Sequence, residues 1–162
     1  MTQYSKNVIE LLRVDYPDLS AWTIICANDR AVDPVQYHIH SELGGILPRV
    51  KGIKSFITEK CGEKLKREPV PGDEQLLYFM QFIAQKFPEE PYPARRATNL
   101  LPVMIKLAEY KINRSTIYGA ERFTDDEWAR LEEYLEITHD FREWLEKLNF
   151  FMPELESGML EE

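Results

Sequence analysis

The most regular recurrence of apolar positions lies in residues 124–148. Trp128, Leu131, Leu135, Leu145 and Leu148 form one stripe at helical spacing, and Tyr134, Ile137, Phe141 and Trp144 form a second beside it. Thr124 stands where an N-cap belongs, Glu127 completes a capping box, and Phe123 is placed to reach Trp128 as a hydrophobic staple. Asp125, Asp126 and Glu127 suit the positive end of the helix dipole. At about 100° per residue the two stripes span roughly half the circumference, so the pattern predicts a helix that packs against two neighbours.

Residues 72–87 repeat apolar positions at Leu76, Phe79/Met80, Ile83 and Phe87, with Asp73 and Glu74 at the start and Pro88 at the end. Residues 99–112 predict a helix capped by Asn99, with Leu101, Met104/Ile105 and Ala108 as its stripe and Pro102 in the first turn. Residues 5–14 predict a short amphipathic helix stopped at Tyr16-Pro17. Residues 46–65 predict another, through Val50, Ile53, Ile57 and Cys61. The run Trp22-Thr23-Ile24-Ile25-Cys26 fits a buried strand or a core helix equally well. With no second clear strand to pair it, residues 19–27 are expected to be helical. The expected fold is therefore mainly α, a single-domain irregular bundle of about five to seven helices over residues 1–162. The alternative is α+β, with a small sheet including residues 22–27. Proline-rich loops at 67–73 and 88–93 are the places where a subdomain boundary would fall, the first above all.

Composition adds limits. With 44% apolar and 30% charged residues over 162 positions, the chain has enough apolar content to fold. The net charge of −8 disfavours unspecific adhesion to nucleic acid or anionic lipid. The charge is uneven: residues 120–162 hold 14 acids and four bases, while 49–67 hold seven bases and two acids. The longest near-apolar stretch, 76–84, falls far short of the roughly 20 residues a membrane helix needs. No signal-peptide pattern opens the sequence, and Cys26 and Cys61 lack metal-finger spacing, so a cytoplasmic protein with two free thiols is expected.

Chemistry-bearing patterns are few. Tyr37-His38-Ile39-His40-Ser41-Glu42 would place His38, His40 and Glu42 on one face of a strand, as a metal site requires. On a helix the two rings would diverge by about 200°. The preceding Pro34 and following Gly44-Gly45 suit a helix or loop better. Glu136-x-x-His139 has the spacing of di-iron bundle motifs but occurs once, and Glu132, Glu136, His139 and Glu143 share an arc of about 60° opposite the apolar stripes. A solvated acidic face is the simpler reading. Cys61 lies near Lys60 and Lys64, which would lower a thiol pKa, although a surface or half-buried thiol is the commoner case. No nucleophile elbow and no phosphate loop is present, so an enzyme is the less favoured expectation and no cofactor is expected.

The leading expectation is a protein-protein interaction module of the kind seen among small inhibitors, immunity proteins and regulators. It would dock a basic partner through Trp128, Glu132, Glu136, His139, Glu143 and Trp144. The alternative is a nucleic-acid-binding regulator using Arg49, Lys51, Lys54, Lys64, Lys66 and Arg67. A metal-dependent enzyme at His38, His40 and Glu42 ranks third. A homodimer through a broad apolar helix face is compatible with the pattern, and no membrane partner is expected.

Overall fold

The computed structural model describes residues 3–112 and 123–156, so Glu121, Arg122, Glu161 and Glu162 of the acidic stretch lie outside the described residues. The architecture is mainly α. Backbone contacts divide the chain into two compact units, Met1–Glu59 and Lys60–Glu162.

The first unit contains α1 (Gln3–Leu12), β1 (Thr23–Cys26), a 3-10 turn (Asp29–Ala31), α2 (Val32–Glu42), β2 (Arg49–Gly52) and the start of α3 (Ile53–Leu65). β1 and β2 pair in parallel, with Thr23 opposite Arg49 and Cys26 opposite Gly52. Parallel neighbours cannot be joined by a tight turn, and α2 supplies the crossover. Gly44 and Gly45 end α2 in the left-handed region, at φ 66° and 75°, and the Gly44 N–H donates to the His40 carbonyl at 3.0 Å. The core of this unit is Ile9, Leu12, Leu19 and Ile39, with Trp22, Ile24 and Val50 packed against it.

Two expectations are corrected here. Residues 23–26 are strand, not helix, and the partner strand lies inside the predicted 46–65 helix, which begins only at Ile53. The apolar spacing of Val50, Ile53, Ile57 and Cys61 imitates a helix, whereas the ladder with β1 decides the conformation of residues 49–52. A four-residue strand is too short for its own alternation to show this.

Gly52 ends β2 because nothing larger fits. A Cβ there would lie 2.0 Å from Asp29 Oδ1 and 2.9 Å from the Asp29 backbone nitrogen. The carboxylate is itself held by the Ser55 hydroxyl, which donates to Oδ1 at 3.0 Å. Gly52→Ala is therefore expected to destabilise the first unit by about 2 kcal/mol through overpacking. Thermal unfolding of the variant checks this, and an unchanged midpoint would contradict the close approach.

The second unit contains the end of α3, β3 (Glu68–Pro69), α4 (Gln75–Lys86), α5 (Pro93–Glu109), α6 (Asp125–Lys147), β4 (Phe150–Phe151) and a 3-10 turn (Pro153–Leu155). β3 pairs with β4 in parallel, with Glu68 opposite Phe150. The 67–73 segment thus lies within this unit. The pattern-based expectation for α6 holds closely. Thr124 caps it with a complete capping box, and Phe123 meets Trp128 edge-on at 5.6 Å. Within the box the Thr124 backbone N–H and hydroxyl both donate to Glu127, holding its carboxyl below the ordinary carboxylate range. Ile137, Phe141 and Leu145 form the buried side of α6, which contacts both α4 and α5, as the width of its apolar face requires.

α5 starts at Pro93, six residues before the predicted Asn99 cap, so Pro102 lies inside the helix rather than in its first turn. Pro93 at the first turn is a favourable start, because its missing N–H would have no helical partner there. Pro102 removes one backbone bond on the exposed side, and burial of Ala97, Leu100, Leu101 and Met104 on the other side offsets that loss. Among the described residues no helix is long and apolar enough to cross a membrane.

Candidate functional site

α6 separates its polar residues into two kinds. Glu133, Asp140 and Glu146, on its flanks, carry cationic partners: Arg96, Lys86 and Arg67 respectively. Glu132, Glu136, His139 and Glu143 lie on the outer arc and are all exposed. Among the described residues Glu132 and Glu136 have no cationic partner, and Glu143 has only His139, whose Nε2 lies 3.2 Å from its Oε1. A basic surface meeting this arc would not have to displace an existing lysine or arginine.

The aromatic residues expected at the rim are placed differently from one another. Trp128 is half-buried against Phe123 beside the acidic arc. Trp144 is half-buried on the α4 side, where its indole N–H donates to Gln85 Oε1 at 2.9 Å and its ring stacks on Phe141 at 6.0 Å. Tyr134 is also half-buried and packs on the core. Trp128 thus stands one helical turn before Glu132, at the start of the acidic arc, and Trp144 is turned toward α4.

The basic segment does not present six unengaged cations. Lys51 pairs with Glu59, Arg67 pairs with Glu146, and the neighbouring Lys60 pairs with Glu63. Lys54 and Lys64 carry interactions of their own, while Arg49 and Lys66 are exposed. Surface pairs of this kind add little stability, but they reduce the positive field that the sequence run suggests.

His38, His40 and Glu42 lie on α2, where a separation of two residues turns the imidazoles about 200° apart. His40 and Glu42 are exposed, and His38 is half-buried with Nε2 shielded and lacking a hydrogen-bond partner. Among the described residues no three His, Cys, Asp or Glu side chains are grouped to hold a metal.

Cys26 and Cys61 are free and buried, and burial pushes both thiols up. At Cys61 the Glu156 carboxylate adds to the rise, outweighing the opposing effect of Lys64. The lowered thiol pKa suggested by the neighbouring lysines is thereby corrected. The dominant cause is burial, which adjacent sequence does not reveal.

Sequence reasoning missed a shallow groove on the second unit, between α4 and the start of α5. Its signal was present as a second apolar stripe on α4: Leu77, Met80 and Ala84 follow one another at spacings of three and four. No known protein family matches the chain, and no curated protein shows significant sequence similarity to it.

Proposed function

We propose that the protein is an interaction module, in the manner of a small inhibitor, immunity or regulatory protein, which docks a basic surface of a partner on the outer face of α6. The observation that carries this reading is the segregation of acids on that helix, with flanking carboxylates neutralised and outer ones left without lysine or arginine. A helix fixed by a capped end and an apolar underside presents these carboxylates with little ordering cost on binding. Trp128, one turn before Glu132, adds at the start of this arc an aromatic contact of the type enriched at interfaces. The buried free thiols support a reducing, cytoplasmic setting.

The test is capture from native lysate at low salt, with nuclease, using wild-type protein and the triple variant Glu132→Lys, Glu136→Lys, Glu143→Lys. All three positions are exposed, so the variant is expected to fold. A stoichiometric basic partner should be retained by wild type, leave at high salt, and bind the variant about 100-fold more weakly through like-charge repulsion. A partner indifferent to both the substitutions and salt would refute the acidic face. Recovery of nucleic acid alone when nuclease is omitted would transfer the reading to Arg49, Lys51, Lys54, Lys64, Lys66 and Arg67.

A further inference from the structure

The second unit carries an apolar surface that its core covers only in part: Met80 packs against the core, while Leu77 is exposed. α4 buries Phe79, Phe82 and Ile83, while Leu77, Met80 and Ala84 line the groove on another side of the same helix. The opposite wall is the Pro91-Tyr92-Pro93 turn and the first residues of α5, and the open groove between the walls measures about 510 Å³. That volume accommodates two or three apolar side chains. Leu77 is 50% exposed and Tyr92 67% exposed, so large apolar surface is left to water on both walls.

The far wall is held in place before any ligand arrives. Pro91 and Pro93 restrict the backbone, and Glu90 accepts from the Tyr92 N–H at 3.3 Å and from Arg96 at 3.2 Å. Arg96 is in turn fixed over the Phe87 ring at 4.0 Å and by Glu133 at 2.8 Å. Its neighbour Arg95 is not used in this way. Arg95 is exposed, lines the groove, and has no acidic partner among the described residues, and no Asp or Glu lines the groove with it.

We infer that this groove docks a short peptide segment of a partner protein, with two or three aromatic or aliphatic side chains between α4 and the Pro91-Tyr92-Pro93 turn and a carboxylate on Arg95. The charge complementarity selects the occupant: a guanidinium at the edge of an apolar slot matches a carboxylate in paired geometry and repels a basic segment. The site has the opposite sign to the outer face of α6 and takes a different partner chemistry. It does not depend on the proposal made for that face.

The test selects a displayed library of random dodecapeptides on the full chain, after depletion on the Leu77→Glu, Arg95→Glu double variant. The enriched sequences should combine Asp or Glu with aromatic or aliphatic residues. A synthetic consensus peptide should bind wild type at least about tenfold more tightly than Arg95→Gln or Leu77→Glu, each with unchanged circular dichroism. The Glu132→Lys, Glu136→Lys, Glu143→Lys variant should bind that peptide like wild type, which separates this site from the α6 face. No enrichment over the depleted variant, a consensus without acids, or equal affinity for Arg95→Gln would overturn the inference. So would self-association that Leu77→Glu abolishes, because the groove would then belong to a second copy of the chain.

Discussion

Phe141→Ala is expected to remove about 4 kcal/mol from the stability of the second unit, the largest effect predicted for any single substitution here. Phe141 is 1% exposed and its ring meets Phe79 at 4.8 Å, edge to face, and Phe82 at 5.2 Å. Truncation loses the transfer free energy of the ring and leaves a void that three helices would have to close. Each well-oriented aromatic pair contributes a further ~0.5–1.5 kcal/mol beyond burial. Since single domains are commonly stable by only about 5–15 kcal/mol, the variant should be marginally folded. Phe141→Leu keeps most of the volume and should cost less than half as much. Hydrogen exchange at the Ile137 to Leu145 amides reads the effect on α6 directly, and protection unchanged in Phe141→Ala would show that this cluster does not hold the unit together.

That buried side of α6 was legible in the sequence because the information is local. A 23-residue helix repeats its pattern often enough to fix its phase, and the cap, the staple and the exposed arc all follow from residues within four positions of one another. β1 and β2 were not legible for the converse reason. Four residues cannot establish an alternation, and the pairing of Ile24 with Val50 depends on a crossover that no local window contains. The start of α5 was hidden differently: Pro91 and Pro93 read as loop, although proline at the first turn of a helix is favourable.

The candidate site divides along the same line. Exposure of Glu132, Glu136, His139 and Glu143 follows from helical phase. The neutralisation of Glu133, Asp140 and Glu146 does not, because Arg96, Lys86 and Arg67 lie far away in sequence. The acidic stretch is partly neutralised by bases upstream of it. What remains without a cationic partner is a smaller and better-defined set of carboxylates, which is what gives the proposed docking face its boundaries.

Among the described residues Glu156 is the buried carboxylate, and breaking its pairing with Arg142 should cost about 3 kcal/mol. It follows the Pro153–Leu155 turn and is only 4% exposed. Arg142 Nε donates to Oε1 at 2.8 Å and Nη2 donates to Oε2, a two-point match of guanidinium and carboxylate. Arg142→Ala would leave that carboxylate shielded from water without a cation, and the cost lies in the stranded charge more than in the lost attraction. The effect should be smaller than for a fully enclosed pair, since the Arg142 side chain is 37% exposed and water can reach part of it. The double variant Arg142→Met, Glu156→Leu removes both charges together and should recover most of the loss, because apolar replacements of similar volume are tolerated where a lone charge is not. Urea unfolding of the two single variants and the double variant supplies the coupling between the positions. Additive losses in the double variant would mean that the two side chains do not depend on one another, and that the burial of Glu156 is not what makes Arg142 necessary.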